Sequence, residues 1–145
     1  AKPQEVVEGV WSAIGATQPP TYENSGHNNN LSFVIGGNGV LVVNGGGAYV
    51  LAEALHQEIK AITDKPVLYV VNENGQGHAM LGNGYWRDQG VRLVAHEDAA
   101  EVWAEEAWDI LERMKGINRD RAFCPICVRV TFAPTAMTTT MTIKP

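Results

Sequence analysis

Residues 70–83 read VVNENGQGHAMLGN. The stretch opens on β-branched residues that favour a strand, passes through a polar turn of small residues and ends where a helix would begin. That is the outline of a metal-binding loop at the end of a strand. Such a loop needs several imidazole, thiolate or carboxylate ligands in close succession, and this one holds a single histidine, His78.

The flanking sequence places the loop in an alternation of strands and helices. Before it, DKPVLYVVN (64–72) is a Pro-bounded apolar run, Val67 to Val71, predicted as a strand buried on both faces. Further back, AYVLAEALHQEIKAIT (48–63) carries Leu51, Ala54, Leu55, Glu58, Ile59 and Ile62 at helical spacing, all but Glu58 apolar. LSFVIGGNGVLVVN (31–44) is two apolar runs joined by Gly-Gly-Asn-Gly, a β-hairpin pattern, since Asn and Gly accept the positive φ of tight turns. After the loop, a helix is predicted from about Ala79 to Gln89, stopped by Gly90, and VRLVAH (91–96) is a short strand. Residues 97–115, EDAAEVWAEEAWDILERMK, form a helix with Ala99, Trp103, Ala107, Ile110, Leu111 and Met114 on one face. Its acidic start and the basic Arg113 and Lys115 complement the helix dipole. VRVTF (128–132) and MTTTMTIKP (137–145) have strand composition. The pattern predicts an α/β fold with a mixed sheet and flanking helices.

Bulk properties exclude several classes. The chain has 145 residues, enough for one domain, with 45% hydrophobic and 19% charged residues. A net charge of −5 and eleven scattered Lys and Arg give no basic stripe for a phosphate backbone, so nucleic acid is not expected as a partner. No apolar run approaches the ~20 residues needed to cross a bilayer as a helix. The chain begins AKPQEVV rather than with Met, as after removal of a signal peptide, which leads to the expectation of a periplasmic or secreted protein.

The order of these pieces, and several strings within them, resemble the first half of the metallo-β-lactamase superfamily. There a strand ends in an Asp-Thr-Gly-like turn, a helix follows, and the next strand delivers a zinc motif of the form Thr-His-x-His-x-Asp-His-x-x-Gly-Asn. VLVVNGG (40–46) stands in the Asp-Thr-Gly place, and NENGQGHAMLGN (72–83) aligns with the zinc motif without a gap, Gly82 and Asn83 matching its tail. The resemblance implies the first half of an αββα sandwich, residues 1–145 being a single half-domain. It also implies which ligands have changed. Asn74 and Gln76 stand for the two leading histidines, His78 for the aspartate, Ala79 for the last histidine and Asn44 for the strand-end aspartate. Amide oxygens are weak neutral donors and Ala donates nothing, so the dinuclear zinc site of that family is not expected here.

Three functional readings follow. The first is a non-hydrolytic subunit that keeps the loop for packing or to line a polar ligand pocket with Asn44, Asn74, Gln76, His78 and Ala79, with no cofactor. The second is a hydrolase whose zinc or other metal is held by His78 together with ligands from another chain. The third is a thiol-disulfide module built on Cys124 and Cys127, although a local structural disulfide between them is the preferred reading. Of the other histidines, His27 is read as an exposed loop side chain, His56 as surface and His96 as a strand-end residue bonding nearby backbone. A half-sandwich leaves one sheet face bare, which predicts a complementary chain, either the second half of the fold or a second copy.

Overall fold

The computed structural model describes residues 2–119; the segments 128–132 and 137–145 and the pair Cys124 and Cys127 lie outside the described residues. Among the described residues six strands form a single mixed sheet in the spatial order β1-β2-β3-β4-β5-β6, the same as their order along the chain. They are β1 (Gln4–Val7), β2 (Val10–Ala13), β3 (Leu31–Ile35), β4 (Val40–Val43), β5 (Val67–Asn72) and β6 (Arg92–Ala95). The first four pair antiparallel, whereas β4-β5 and β5-β6 are parallel. Parallel pairing requires crossovers, and helices supply them. Helix α1 (Tyr49–Ile62) joins β4 to β5, and α2 (Gly77–Met80) with α3 (Asn83–Asp88) joins β5 to β6; α4 (Glu97–Asn118) follows β6.

The predicted 31–44 hairpin is present as β3 and β4, with Phe33 opposite Val42 and Ile35 opposite Val40. Its Gly-rich connection is closed by a hydrogen bond from Gly36 N to Gly39 O at 2.9 Å. An additional hairpin, β1-β2, lies in the N-terminal segment. Every residue of β1 is exposed, so it has no hydrophobic alternation to announce it. The helix predicted over 79–89 is two short helices, because Leu81 and Gly82 interrupt it at a close backbone contact described below.

One face of the sheet carries the core. Ala13, Leu31, Phe33, Val40, Val42 and Val70 point to it and pack against α1 and α3 through Ala52, Leu55, Ile59, Tyr85 and Trp86. Fully burying side chains of this size is worth roughly 1.5–3 kcal/mol each for the aliphatic and Phe members. The inward face of α1 is Ala52, Leu55, His56 and Ile59, rotated from the predicted stripe, so His56 is buried rather than on the surface. The rotation follows from what meets the helix: the His56 ring packs on those of Tyr85 and Trp86, with centroids 5.7 and 5.2 Å away. Helix α4 has the face expected of it, with Ala99, Trp103, Ala107, Ile110, Leu111 and Met114 all buried, and runs on to Asn118. Most of that face meets Ala79 and Met80 of α2 and Ala95 at the end of β6.

The opposite sheet face is different. Register places Val10, Val34, Leu41, Val43, Tyr69 and Val71 on it, and none of these belongs to either core cluster. Strand β5 is accordingly buried on one face only, at Val70 and Asn72, and not on both as its composition predicts. Apolar composition marked the residues correctly; what is missing among the described residues is the layer that would cover their outer side.

Gly116 lies within α4 with no heavy atom within 4 Å of an added Cβ and no positive φ. Gly116→Ala is expected to raise stability by about 0.5–1 kcal/mol, through the backbone entropy of the unfolded chain, in urea unfolding followed by circular dichroism.

Candidate functional site

The parallel strands β4, β5 and β6 all end on the same edge of the sheet, and the loops that leave them form the candidate site. At the end of β4, Asn44 takes a left-handed conformation, φ 68°, which Asn tolerates better than most residues. It is 2% exposed. Its N–H donates to Val71 O at 2.8 Å and its Oδ1 accepts from Glu73 N at 3.1 Å. Asn44 is thus a clasp between two strand ends, with its side-chain acceptor turned to the backbone.

The next residues hold the loop itself. Gly45 N donates to Ala79 O at 2.7 Å, Gly82 N donates to Gly46 O at 2.7 Å, and buried Trp86 donates from Nε1 to Gly45 O at 3.0 Å. The two backbones run so close that a Cβ built on Gly82 would overlap the Gly45 carbonyl oxygen. Gly75 and Gly77 are pressed in turn by α4, against Ala99 O and the Ile110 side chain. Small residues along 75–82 are therefore required by packing, whatever the loop binds. Ala79, at the position of a motif histidine, is 0% exposed and part of the core around α4.

Three of the predicted positions do come together. Asn74 Oδ1 accepts from Gln76 N at 2.9 Å, and Asn74 Nδ2 lies 3.4 Å from His78 Nε2. Glu73, which the sequence reading passed over because the motif position holds Thr, places Oε1 3.1 Å from the same nitrogen. His78 is partly exposed, Glu73 and Gln76 more so. The signal for Glu73 was available: a carboxylate five residues before a lone histidine at a strand end. His96 caps α4, its Nδ1 accepting from Asp98 N at 3.3 Å, in keeping with the backbone-bonding role expected of it. His27 is buried, not exposed, because the 15–30 loop folds down so that Gly26 meets Gly47 beside the His78 backbone.

These residues do not fit a zinc pair. Among the described residues, no group of three or more His, Cys, Asp or Glu lies close enough to hold a metal ion. The acceptors of Asn44 and Asn74 are already engaged by backbone N–H groups. Among the described residues of this loop, Glu73 and His78 supply donors of the right type.

No protein-family model matches the chain. Its fold is that of solved metallo-β-lactamases. It is similar to the metallo-β-lactamase of Erythrobacter litoralis, solved with β-mercaptoethanol in the active site, at 20% identity and a TM-score of 0.60, over 72% of this chain and 45% of that one. It is also similar to the metallo-β-lactamase FIM-1 of Pseudomonas aeruginosa in its mono-zinc form, at 18% identity and a TM-score of 0.61, over 72% of this chain and 46% of that one. The chain thus spans less than half the length of either structure.

Two predictions follow from this geometry. Gly82→Ala forces the Gly45 and Gly82 backbones apart and is expected to destabilise the protein by about 1–3 kcal/mol or more in urea unfolding. Burial lowers the pKa of His27 and of His56 below the ordinary 6.5, with Lys60 adding to the effect at His56. The unfolded chain then binds more protons than the folded one, so stability is full above about pH 6.5 and falls as pH drops below it toward the lowered values. Chemical unfolding midpoints measured from pH 7.5 to 5 should decrease, and His56→Phe should reduce the slope.

Proposed function

We propose that this chain is a non-hydrolytic subunit with the metallo-β-lactamase fold, a half-domain in which the former metal loop serves packing and recognition of a polar ligand. The observation that carries the reading is the use of the motif positions. Asn44 and Asn74 spend their side-chain oxygens on backbone N–H groups, and Ala79 is a core residue. A hydroxide generated on zinc needs a metal held by imidazoles and carboxylates, and the donors present are too few for that chemistry.

The same reading includes a partner. The row Val10, Val34, Leu41, Val43, Tyr69 and Val71 is an apolar sheet face outside both cores, and contiguous faces of this kind are usually covered in stable proteins. A complementary chain, supplying the second half of the fold or being a second copy, would cover it by sheet-on-sheet packing. An exported compartment, periplasmic or extracellular, and a structural disulfide between Cys124 and Cys127 complete the proposal. No helix among the described residues is long and apolar enough to cross a membrane.

A second reading has one observation in its favour. The Glu73–His78 pair, 3.1 Å apart, is a fragment of a metal site that ligands from a partner chain would complete. Elemental analysis of the purified assembly separates the two. The subunit reading expects well under one transition metal per chain and no metal-dependent hydrolysis. One tightly held metal per chain, lost in His78→Ala, would establish the hydrolase instead.

A further inference from the structure

Asn followed by Gly occurs four times in the chain, at 38–39, 44–45, 74–75 and 83–84. In such a pair the glycine amide nitrogen can attack the carbonyl carbon of the asparagine side chain, because Gly has no side chain to obstruct the five-membered ring and leaves the backbone freest to turn. The attack needs a side chain that can rotate and a nitrogen that is not already donating to an acceptor. Three of the four pairs are denied this by the fold. Asn44 is 2% exposed with its Oδ1 accepting from Glu73 N at 3.1 Å, and Gly45 N is engaged with Ala79 O at 2.7 Å and Asn72 Oδ1 at 3.3 Å. Asn74 Oδ1 accepts from Gln76 N at 2.9 Å, and Gly75 is pressed against Ala99 O. Asn83 and Gly84 open α3, where side chains lean towards the helix start and so away from the following nitrogen, and Asn83 Oδ1 is buried beside Gly45.

Asn38 differs on each count. It is exposed at the tip of the β3-β4 turn, no described residue bonds to its side chain, and the neighbouring Gly37 has no heavy atom within 4 Å of an added Cβ. Gly39 is held against Leu68 and Pro66 O, so the movement that brings the two groups together belongs to Gly37 and Asn38. The turn is closed from one side only. Gly36 N donates to Gly39 O at 2.9 Å, whereas Gly36 O accepts from Lys65 Nζ at 2.7 Å and the Gly39 N–H has no backbone acceptor among the described residues. Lys65 thus occupies the oxygen that would otherwise engage the attacking nitrogen, and its ammonium charge favours the anion which that nitrogen becomes.

We propose that Asn38 is a self-modifying site, deamidated by water through a succinimide formed with Gly39, with Lys65 as the positioning residue. Hydroxide from solvent removes the Gly39 N–H proton, the nitrogen pair bonds to Asn38 Cγ, and the Cγ–Nδ2 bond breaks to release ammonia, which takes its proton from water and restores the hydroxide. Water then opens the ring. Addition at Cγ gives aspartate, and addition at the backbone carbonyl carbon gives isoaspartate, whose chain runs through Cγ. No oxidation or reduction is involved. The product is a new carboxylate on the turn that carries Lys65, at the end of β4 opposite the candidate site, and the inference is independent of the subunit reading.

The test incubates the full folded chain in mildly alkaline buffer made with heavy-oxygen water and follows the aspartyl and isoaspartyl forms of each Asn-Gly peptide by digestion and mass spectrometry. Acid at position 38 should accumulate at least about tenfold faster than at 44, 74 or 83. In urea the four rates should converge, since the fold alone separates them. Lys65→Met, a change to an exposed side chain, should slow the reaction at Asn38 severalfold by releasing Gly36 O to accept the Gly39 N–H. An Asn38 that stays intact in the folded chain, a folded-state rate at 44, 74 or 83 equal to that at 38, or a Lys65→Met variant that reacts as before would each overturn the proposal.

Discussion

The backbones of Gly45 and Gly82 pass so closely that no side chain fits between them, and the rest of the site is arranged around that approach. Three hydrogen bonds secure it, Gly45 N to Ala79 O, Gly82 N to Gly46 O and Trp86 Nε1 to Gly45 O. Trp86 belongs to the core under the sheet, and Ala79 to the core around α4. The contact therefore joins the two hydrophobic clusters through a strip of backbone. Buried N–H and C=O groups that lose their partners cost about 1–3 kcal/mol each, so the strip resists change even where the side chains beside it have changed. A loop with the spacing of a metal motif can persist in this way without its ligands.

The acceptors left over from that arrangement define the chemistry of the edge. Asn44 and Asn74 look in the sequence like ligand substitutes, yet in the fold each works as a backbone brace. Glu73 and His78 are the pair whose side chains remain directed at one another and at solvent. The difference is positional. Asn44 sits at a strand end with a left-handed backbone, where a short amide can reach the adjoining chain, whereas Glu73 has a longer side chain at an exposed turn.

Much of this was legible before any coordinates. Strong periodicity located α4 with its buried face, and the Gly-Gly-Asn-Gly turn located the β3-β4 hairpin. The short motif VVNENGQGHAMLGN, aligned with VLVVNGG, led to the metallo-β-lactamase fold. Failures occurred where local pattern and tertiary environment diverge. Strand β1 is wholly exposed and has no apolar alternation to detect. His56 lies away from the Leu51, Leu55 and Ile59 stripe and His27 in a polar loop, a pattern that predicts exposure for both, but aromatic neighbours bury the first and a folded loop the second. Glu73 is not marked by the motif comparison, because it stands at the Thr position, which carries no ligand in the motif.

The sheet has one further property. Among the described residues each strand lies beside its immediate predecessor in the chain, from β1 through to β6, with no later strand inserted between earlier ones. Growth on the ribosome can then proceed by accretion, every new strand finding a ready template at a single advancing margin. Local pairing of this kind keeps loop-closure costs low and favours rapid assembly. Among the described residues, the strand at that margin, β6, is the last of the sheet to be made.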